Sequence, residues 1–247
     1  MAYTTIDKPS DYFETKLYTG TGSELSISSL DFSPDWVWVK QRGADASHFL
    51  YDSVRGATKS IRSNSNNAEA TVAQSLKSFD SNGFTLGTSA EPNTSSGTYV
   101  GWNWKAGTSF TNDASSTGIG SIDSAGSVST DAGFSIVSYT GGTDPETFAH
   151  GLGVVPTMII VKDRSTSGGW RVYHKSIGND KILALGSGEY GGTIAATASD
   201  AWNATTPTSS VVTVGNDTIT NGNGTTHIAY CFADVKGYSK FGSYTGN

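Results

Sequence analysis

The chain has 247 residues, a formal net charge of −6, 15% charged residues and 30 glycines, and Ser, Thr and Gly together supply about two-fifths of it. An acidic chain without a basic run is poorly matched to phosphates, so neither nucleic acid nor a membrane surface is an expected partner. No apolar stretch approaches the roughly 18 residues that span a bilayer, residues 1–5 lack the basic start and apolar run of a signal peptide, and an aromatic content of 11% excludes wholesale disorder.

In chain order, short segments rich in β-branched and aromatic residues fall at 36–40, 84–86, 99–104, 134–139, 158–161, 211–214 and 228–232. Turn signals bound them, among them Asn82-Gly83 and Gly215-Asn216-Asp217. Only residues 68–77 have helical composition, enough for a surface turn or one short helix. Many short strands joined by Gly-rich turns predict an all-β fold of antiparallel, jelly-roll-like sandwiches.

An internal repeat sets the organisation. Phe32-Ser33-Pro34-Asp35-Trp36-Val37-Trp38-Val39-Lys40 aligns with Val154-Val155-Pro156-Thr157-Met158-Ile159-Ile160-Val161-Lys162. The same offset pairs Arg42 with Arg164, Tyr51 with Tyr173, Gly56 with Gly178 and Lys59 with Lys181. After a shift of register, Tyr99-Val100-Gly101-Trp102-Asn103-Trp104 overlies His227-Ile228-Ala229-Tyr230-Cys231-Phe232. Tyr18-Thr19-Gly20 recurs as Tyr139-Thr140-Gly141 and again as Tyr244-Thr245-Gly246. The expected organisation is an arm over 1–10, a β module over 11–107, a Ser/Gly-rich linker over 108–130, and a second module over 131–247 that ends in a further strand. The linker's composition suits a flexible connector, with an ordered surface loop as the alternative.

Comparing the two last strands puts Val100, Trp102 and Trp104, with Ile228, Tyr230 and Phe232, on the core face. Tyr99, Gly101 and Asn103, with His227, Ala229 and Cys231, take the other face. The run Trp36-Val37-Trp38-Val39 reads as covered on both.

No pattern for catalysis emerges, and neither a cofactor nor a metal is expected. A glycosidase needs two carboxylates across a sugar, yet no glutamate lies on an aromatic strand or recurs in the second module. His48, His150, His174 and His227 lack metal-ligand spacing, and no Gly-x-Ser-x-Gly elbow frames a serine. The lone Cys231 reads as a buried thiol, since His227 is too far along the strand to activate it. Residues 215–224 have the Asn, Asp and Gly of a tight turn, and less acidic density than a calcium loop requires. Asp52, Arg55 and Gly56 read as a turn lock in preference to a ligand site. Trp170 and Trp202, set among Gly, Ser, Thr and Asn, are the candidates for exposed platforms that stack on glycans.

Several of these strings resemble virion structural proteins, of tail-fibre or decoration type, from marine tailed bacteriophages. Ala2-Tyr3-Thr4-Thr5-Ile6-Asp7-Lys8-Pro9-Ser10-Asp11-Tyr12-Phe13 and Tyr18-Thr19-Gly20-Thr21-Gly22 are similar to their opening. Residues 32–42, 52–59, 97–105, 151–162 and 237–247 are similar to their repeated module. The resemblance implies a non-enzymatic component of the particle surface, made in the host cytoplasm and assembled with other virion proteins. It further implies a homo-oligomer, with a trimer favoured, and contact with host surface polysaccharide. A tail-fibre or tail-associated role is the leading expectation; a capsid decoration or head fibre, and a polysaccharide depolymerase, are the alternatives. Aromatic segments at residues 3–12 and 238–244 are expected to find cover against a neighbouring subunit.

Overall fold

The computed structural model describes residues 4–185, residues 194–195 as backbone alone, and residues 198–246. The first half forms β1 (Phe13–Thr19), β2 (Leu25–Ile27), β3 (Trp36–Gln41), β4 (His48–Asp52), β5 (Lys59–Arg62), β6 (Ala70–Thr71), β7 (Leu76–Asp80), β8 (Gly83–Leu86) and β9 (Thr98–Trp104). The second forms β10 (Thr108–Asn112), β11 (Ser124–Ser129), β12 (Phe134–Thr140), β13 (Glu146–Ala149), β14 (Met158–Asp163), β15 (Trp170–His174), β16 (Gly178–Leu183), β17 (Ile194–Ala195), β18 (Val211–Val214) and β19 (Thr226–Phe232). The α-helical pieces are single turns: α1 (Ala90–Asn93), α2 (Ala114–Thr117), α3 (Ser199–Trp202) and α4 (Thr218–Asn221). The protein is all-β, and the seven internal segments read as strands from the sequence each lie in one.

One six-stranded sheet runs β1-β9-β3-β4-β5-β6, and an eight-stranded sheet runs β10-β11-β12-β19-β14-β15-β16-β17. From β12 onward the second sheet has the order of the first. Two smaller sheets, β2-β8-β7 and β13-β18, lie outside them. The result is four layers with three apolar interfaces. Val37, Val39, Phe49, Tyr51 and Tyr99 pack on Ile27, Leu76, Phe84 and Leu86 of the first outer sheet. Tyr139, Ile159, Val161, Tyr173 and Cys231 pack on Phe148, Val212, Val214 and Trp202 on the far side. Between the two large sheets, Trp36, Leu50 and Ile61 meet Phe134, Ile136, Ile160, Trp170, Val172, Ile228, Tyr230 and Phe232.

Matched glycines mark the repeat in the backbone. Gly56 and Gly178 both adopt left-handed φ, +91° and +87°, where a side chain would be strained. Gly83 closes the β7–β8 hairpin, and a Cβ there would lie 1.9 Å from the Ile27 carbonyl oxygen.

Several expectations change. The face of β9 and β19 assigned away from the core is the more deeply buried one: Tyr99, Asn103, His227, Ala229 and Cys231 are all enclosed. Both large sheets are inner layers, so at β9 and β19, in their middle, both faces are covered and alternation no longer marks the core side. The segment read as a linker is two strands and a helical turn; β10 and β11 extend the second sheet by antiparallel pairing onto β12. Backbone ladders explain this, because Ser, Thr and Gly can complete a sheet without supplying a core. Residues 68–77 form β6, a turn and the start of β7 in place of a helix, because pairing with β5 and β8 overrides weak local propensity. Among the described residues no strand forms beyond Phe232; Val235 makes an isolated bridge to Ser239. Of the terminal aromatics, Tyr12 lies edge-on to Tyr238 at 6.2 Å and Phe241 5.5 Å from Phe232, whereas Tyr244 is 94% exposed and Tyr3 lies outside the described residues.

Candidate functional site

Cross-strand geometry lines up aromatic rings at the seam between the large sheets. Phe13, Trp104 and Trp36 are direct partners on β1, β9 and β3. Their rings follow at 4.9 Å and 4.4 Å between centroids, within the range where aromatic pairs attract beyond simple burial. Phe134 and Phe232 of the second sheet continue the layer 4.8 Å apart. At its rim the layer opens into a cleft of about 300 Å³, walled also by Tyr12, Trp38, Lys105 and Phe241.

The cleft is lined mainly by aromatic and aliphatic side chains. Lys105 places its ammonium 5.8 Å from the centre of the Tyr12 ring, a cation–π contact. Trp38 donates its indole N–H to His48 Nδ1 at 2.9 Å, whereas the Trp36 indole N–H has no acceptor among the described residues. Tyr12, Lys105 and Tyr238 are the titratable residues of the lining. Burial and the Tyr12 phenol push Tyr238 up to about 12, and burial with Asp131 raises Tyr12. Neither phenol is poised to exchange a proton near neutrality, which general acid–base catalysis would require.

Tyr230 ties this aromatic layer to a buried charge cluster. Its ring stacks on Trp36 at 4.3 Å, and its hydroxyl donates to Asp52 Oδ2 at 2.7 Å. Asp52 also accepts the Arg55 backbone N–H at 2.8 Å and pairs with the Arg55 guanidinium. Arg55 Nη2 donates to the Leu50 carbonyl at 3.0 Å, and Nη1 reaches Glu69 at 3.2 Å. From the second half, Arg164 holds the same Glu69 through Nε at 2.9 Å and Nη2 at 3.2 Å. Burial pushes the Glu69 carboxyl up, but its hydrogen bonds and charge attraction to Arg164 and Arg55 outweigh that and leave it below its ordinary 4.5. Lys162, fully enclosed, donates to the carbonyls of Asp163 and Gly168, both at 2.8 Å. Burial lowers its ammonium to about 8.

Of the residues singled out in the sequence, Asp52, Arg55 and Gly56 come together in one turn, with Gly56 N–H donating to the Asp52 carbonyl at 3.1 Å. Trp170 and Trp202 are not exposed platforms: each is 1% accessible or less. Trp170 donates its indole N–H to the Arg62 carbonyl at 3.0 Å across the seam, and Trp202 lies edge-on to Tyr173. Their small polar sequence neighbours form the turns, while the indoles fill gaps between layers. In residues 215–224, Asp217 caps α4 by accepting from Ile219 N–H at 2.9 Å and pairs with Arg171. Burial pushes the Cys231 thiol up to about 12. Sequence reasoning missed Glu69, Arg164, Lys105 and Tyr12. The Arg42–Arg164 match was a signal for one; Glu69, inside the segment with helical composition, gave none.

The fold and cleft define a layered all-β protein whose central sheets share an aromatic seam, with a charged cluster clamping the two halves. The chain belongs to the family described as Domain of unknown function (DUF7483), which matches residues 8–247. No curated protein and no solved structure matches it. Among the described residues, no helix is long and apolar enough to cross a membrane.

Proposed function

We propose that the protein is a non-enzymatic structural component of a bacteriophage particle, tail-associated, built from two tandem copies of one β module and working beside other virion proteins as a homo-oligomer. The observation that carries this reading is the seam. Its aromatic rings and buried ion pairs join two sheets into one body, a construction that resists local opening. The resemblance of residues 2–13 and 18–22 to the opening, and of residues 237–247 to the repeated module, of marine phage virion proteins supplies the setting. Antibody labelling of intact particles tests it. Label confined to the tail supports the reading, label across the head favours a capsid decoration, and no label on particles overturns it. Incubation with host surface glycans separates it from a depolymerase, since reproducible shortening of the polymer would contradict a non-enzymatic role.

The rim cleft favours a second role within the same reading, contact with a host surface glycan. Half-buried Trp38 and Trp104 offer ring faces, and Lys105 adds a donor beside them. If the cleft is the contact, Lys105→Ala reduces binding to host cells while leaving the fold intact. Unchanged binding would remove the glycan role and leave the structural one standing.

A further inference from the structure

β1 is the outermost strand of the six-stranded sheet, with β9 on one side and no strand on the other among the described residues. The Tyr12 carbonyl accepts from Lys105 N–H at 2.9 Å, and Gly20 N–H donates to the Gly97 carbonyl at 2.8 Å. Antiparallel pairing alternates, so Glu14, Lys16 and Tyr18 turn their backbone groups to β9. Phe13, Thr15, Leu17 and Thr19 turn theirs outward. This edge runs seven residues without proline, and its pairing to β9 is regular throughout. Leu17 is 63% exposed on it. Proteins usually blunt such an edge with a bulge, a proline or a covering segment.

The second half shows what the same edge accepts. β12 occupies the place of β1, and β11 lies along it with Ser129 opposite Phe134, Ser127 opposite Ile136 and Ala125 opposite Ser138. Those β12 residues are the counterparts of Phe13, Thr15 and Leu17.

We propose that β1 pairs antiparallel with β1 of a second copy of this chain, centred on Thr15, joining the two six-stranded sheets about a twofold axis. In that register Glu14 faces Lys16 of the second copy, Lys16 faces its Glu14, and Phe13 faces its Leu17. Registers centred on Glu14 or on Lys16 also satisfy the backbone, but they set like charges opposite each other, which is unfavourable. Within one chain Lys16 pairs with one Glu14 carboxylate oxygen, and a second ammonium across the edge adds to that charge pairing. The contact is isologous, so it closes at two copies.

Sedimentation equilibrium of the purified full chain, from micromolar to several hundred micromolar at low salt, tests the pairing. A reversible dimer of the 25.8 kDa chain is expected. Thr15→Pro removes an outward N–H without touching the β9 ladder, so it weakens the dimer at least about tenfold while the melting temperature holds. Glu14→Lys and Lys16→Glu each make the edge carry one sign of charge, and each weakens self-association by a similar factor. Mixed in equal amounts, these two variants are complementary and restore the dimer. A chain that stays monomeric throughout overturns the proposal, as does a dimer that survives Thr15→Pro or charge variants that fail to associate on mixing.

Discussion

Asn93 and Asn221 make the same three-bond clasp, one in each half of the chain. Asn93 accepts from Thr21 N–H at 2.8 Å and donates to the carbonyls of Ser23 and Gly87 at 2.6 and 2.8 Å. Asn221 accepts from Gly142 N–H at 2.9 Å and donates to the carbonyls of Asp144 and Gly215 at 2.8 and 2.9 Å. Each ties the turn after a Tyr-Thr-Gly sequence to the chain leaving the outer sheet. Alanine at either position orphans buried backbone groups and is expected to lower stability by about 2–3 kcal/mol. Urea unfolding of the two variants checks this; a loss well under 1 kcal/mol in either would show that water replaces the clasp.

Glu69 supplies the acid-sensitive element. Its carboxyl titrates below its ordinary 4.5 in the folded protein, so its contribution is complete above that pH and fades as pH falls through the folded value. Glu69→Gln leaves the enclosed Arg55 and the Arg164 guanidinium short of a carboxylate and is expected to cost about 3 kcal/mol at pH 7. The gap between wild type and variant should narrow as pH falls below 4.5, read by denaturant titration. A gap that stays constant with pH would remove Glu69 from the acid response.

Lys40 and Lys162 test burial at matched positions. Lys40 Nζ donates to the carbonyls of Gln41 and Ala44 at 2.8 and 3.1 Å while half exposed. Lys162 does the same for its own loop while fully enclosed. Methionine at 40 lets water reach the two carbonyls and is expected to change stability by less than about 1 kcal/mol. At 162 the carbonyls stay dry, and the loss should reach about 2 kcal/mol. Equal losses would refute the distinction.

Cys231 is fully buried, with its thiol raised to about 12. A thiol-specific reagent at pH 8 should therefore modify it only as fast as the protein unfolds globally. Labelling much faster than unfolding, timed in parallel by fluorescence, would reveal an opening of the β12–β19 layer.

The strands were legible because runs of β-branched and aromatic residues between turn signals survive in the residues themselves. The layer count was not. An inner sheet reads the same whether the second face meets a small outer sheet or a large neighbour, so Tyr99 and Cys231 could be placed on a face but not in a core. Trp170 and Trp202 misled for a related reason. Polar neighbours report the turn a tryptophan follows, whereas its burial depends on residues far along the chain, such as Arg62. The Asn clasp had a faint signal, Gly-x5-Asn, with Gly87 and Asn93 set six residues apart, as are Gly215 and Asn221. Its meaning needs the backbone groups that converge there.

The shared aromatic layer between the large sheets bears on how such a chain can change length. Each half walls off the other, so deleting either one would bare Trp36, Leu50 and Ile61, or Ile136, Trp170 and Tyr230, to water at once. A solitary copy would be sticky, whereas an added pair brings its own lid.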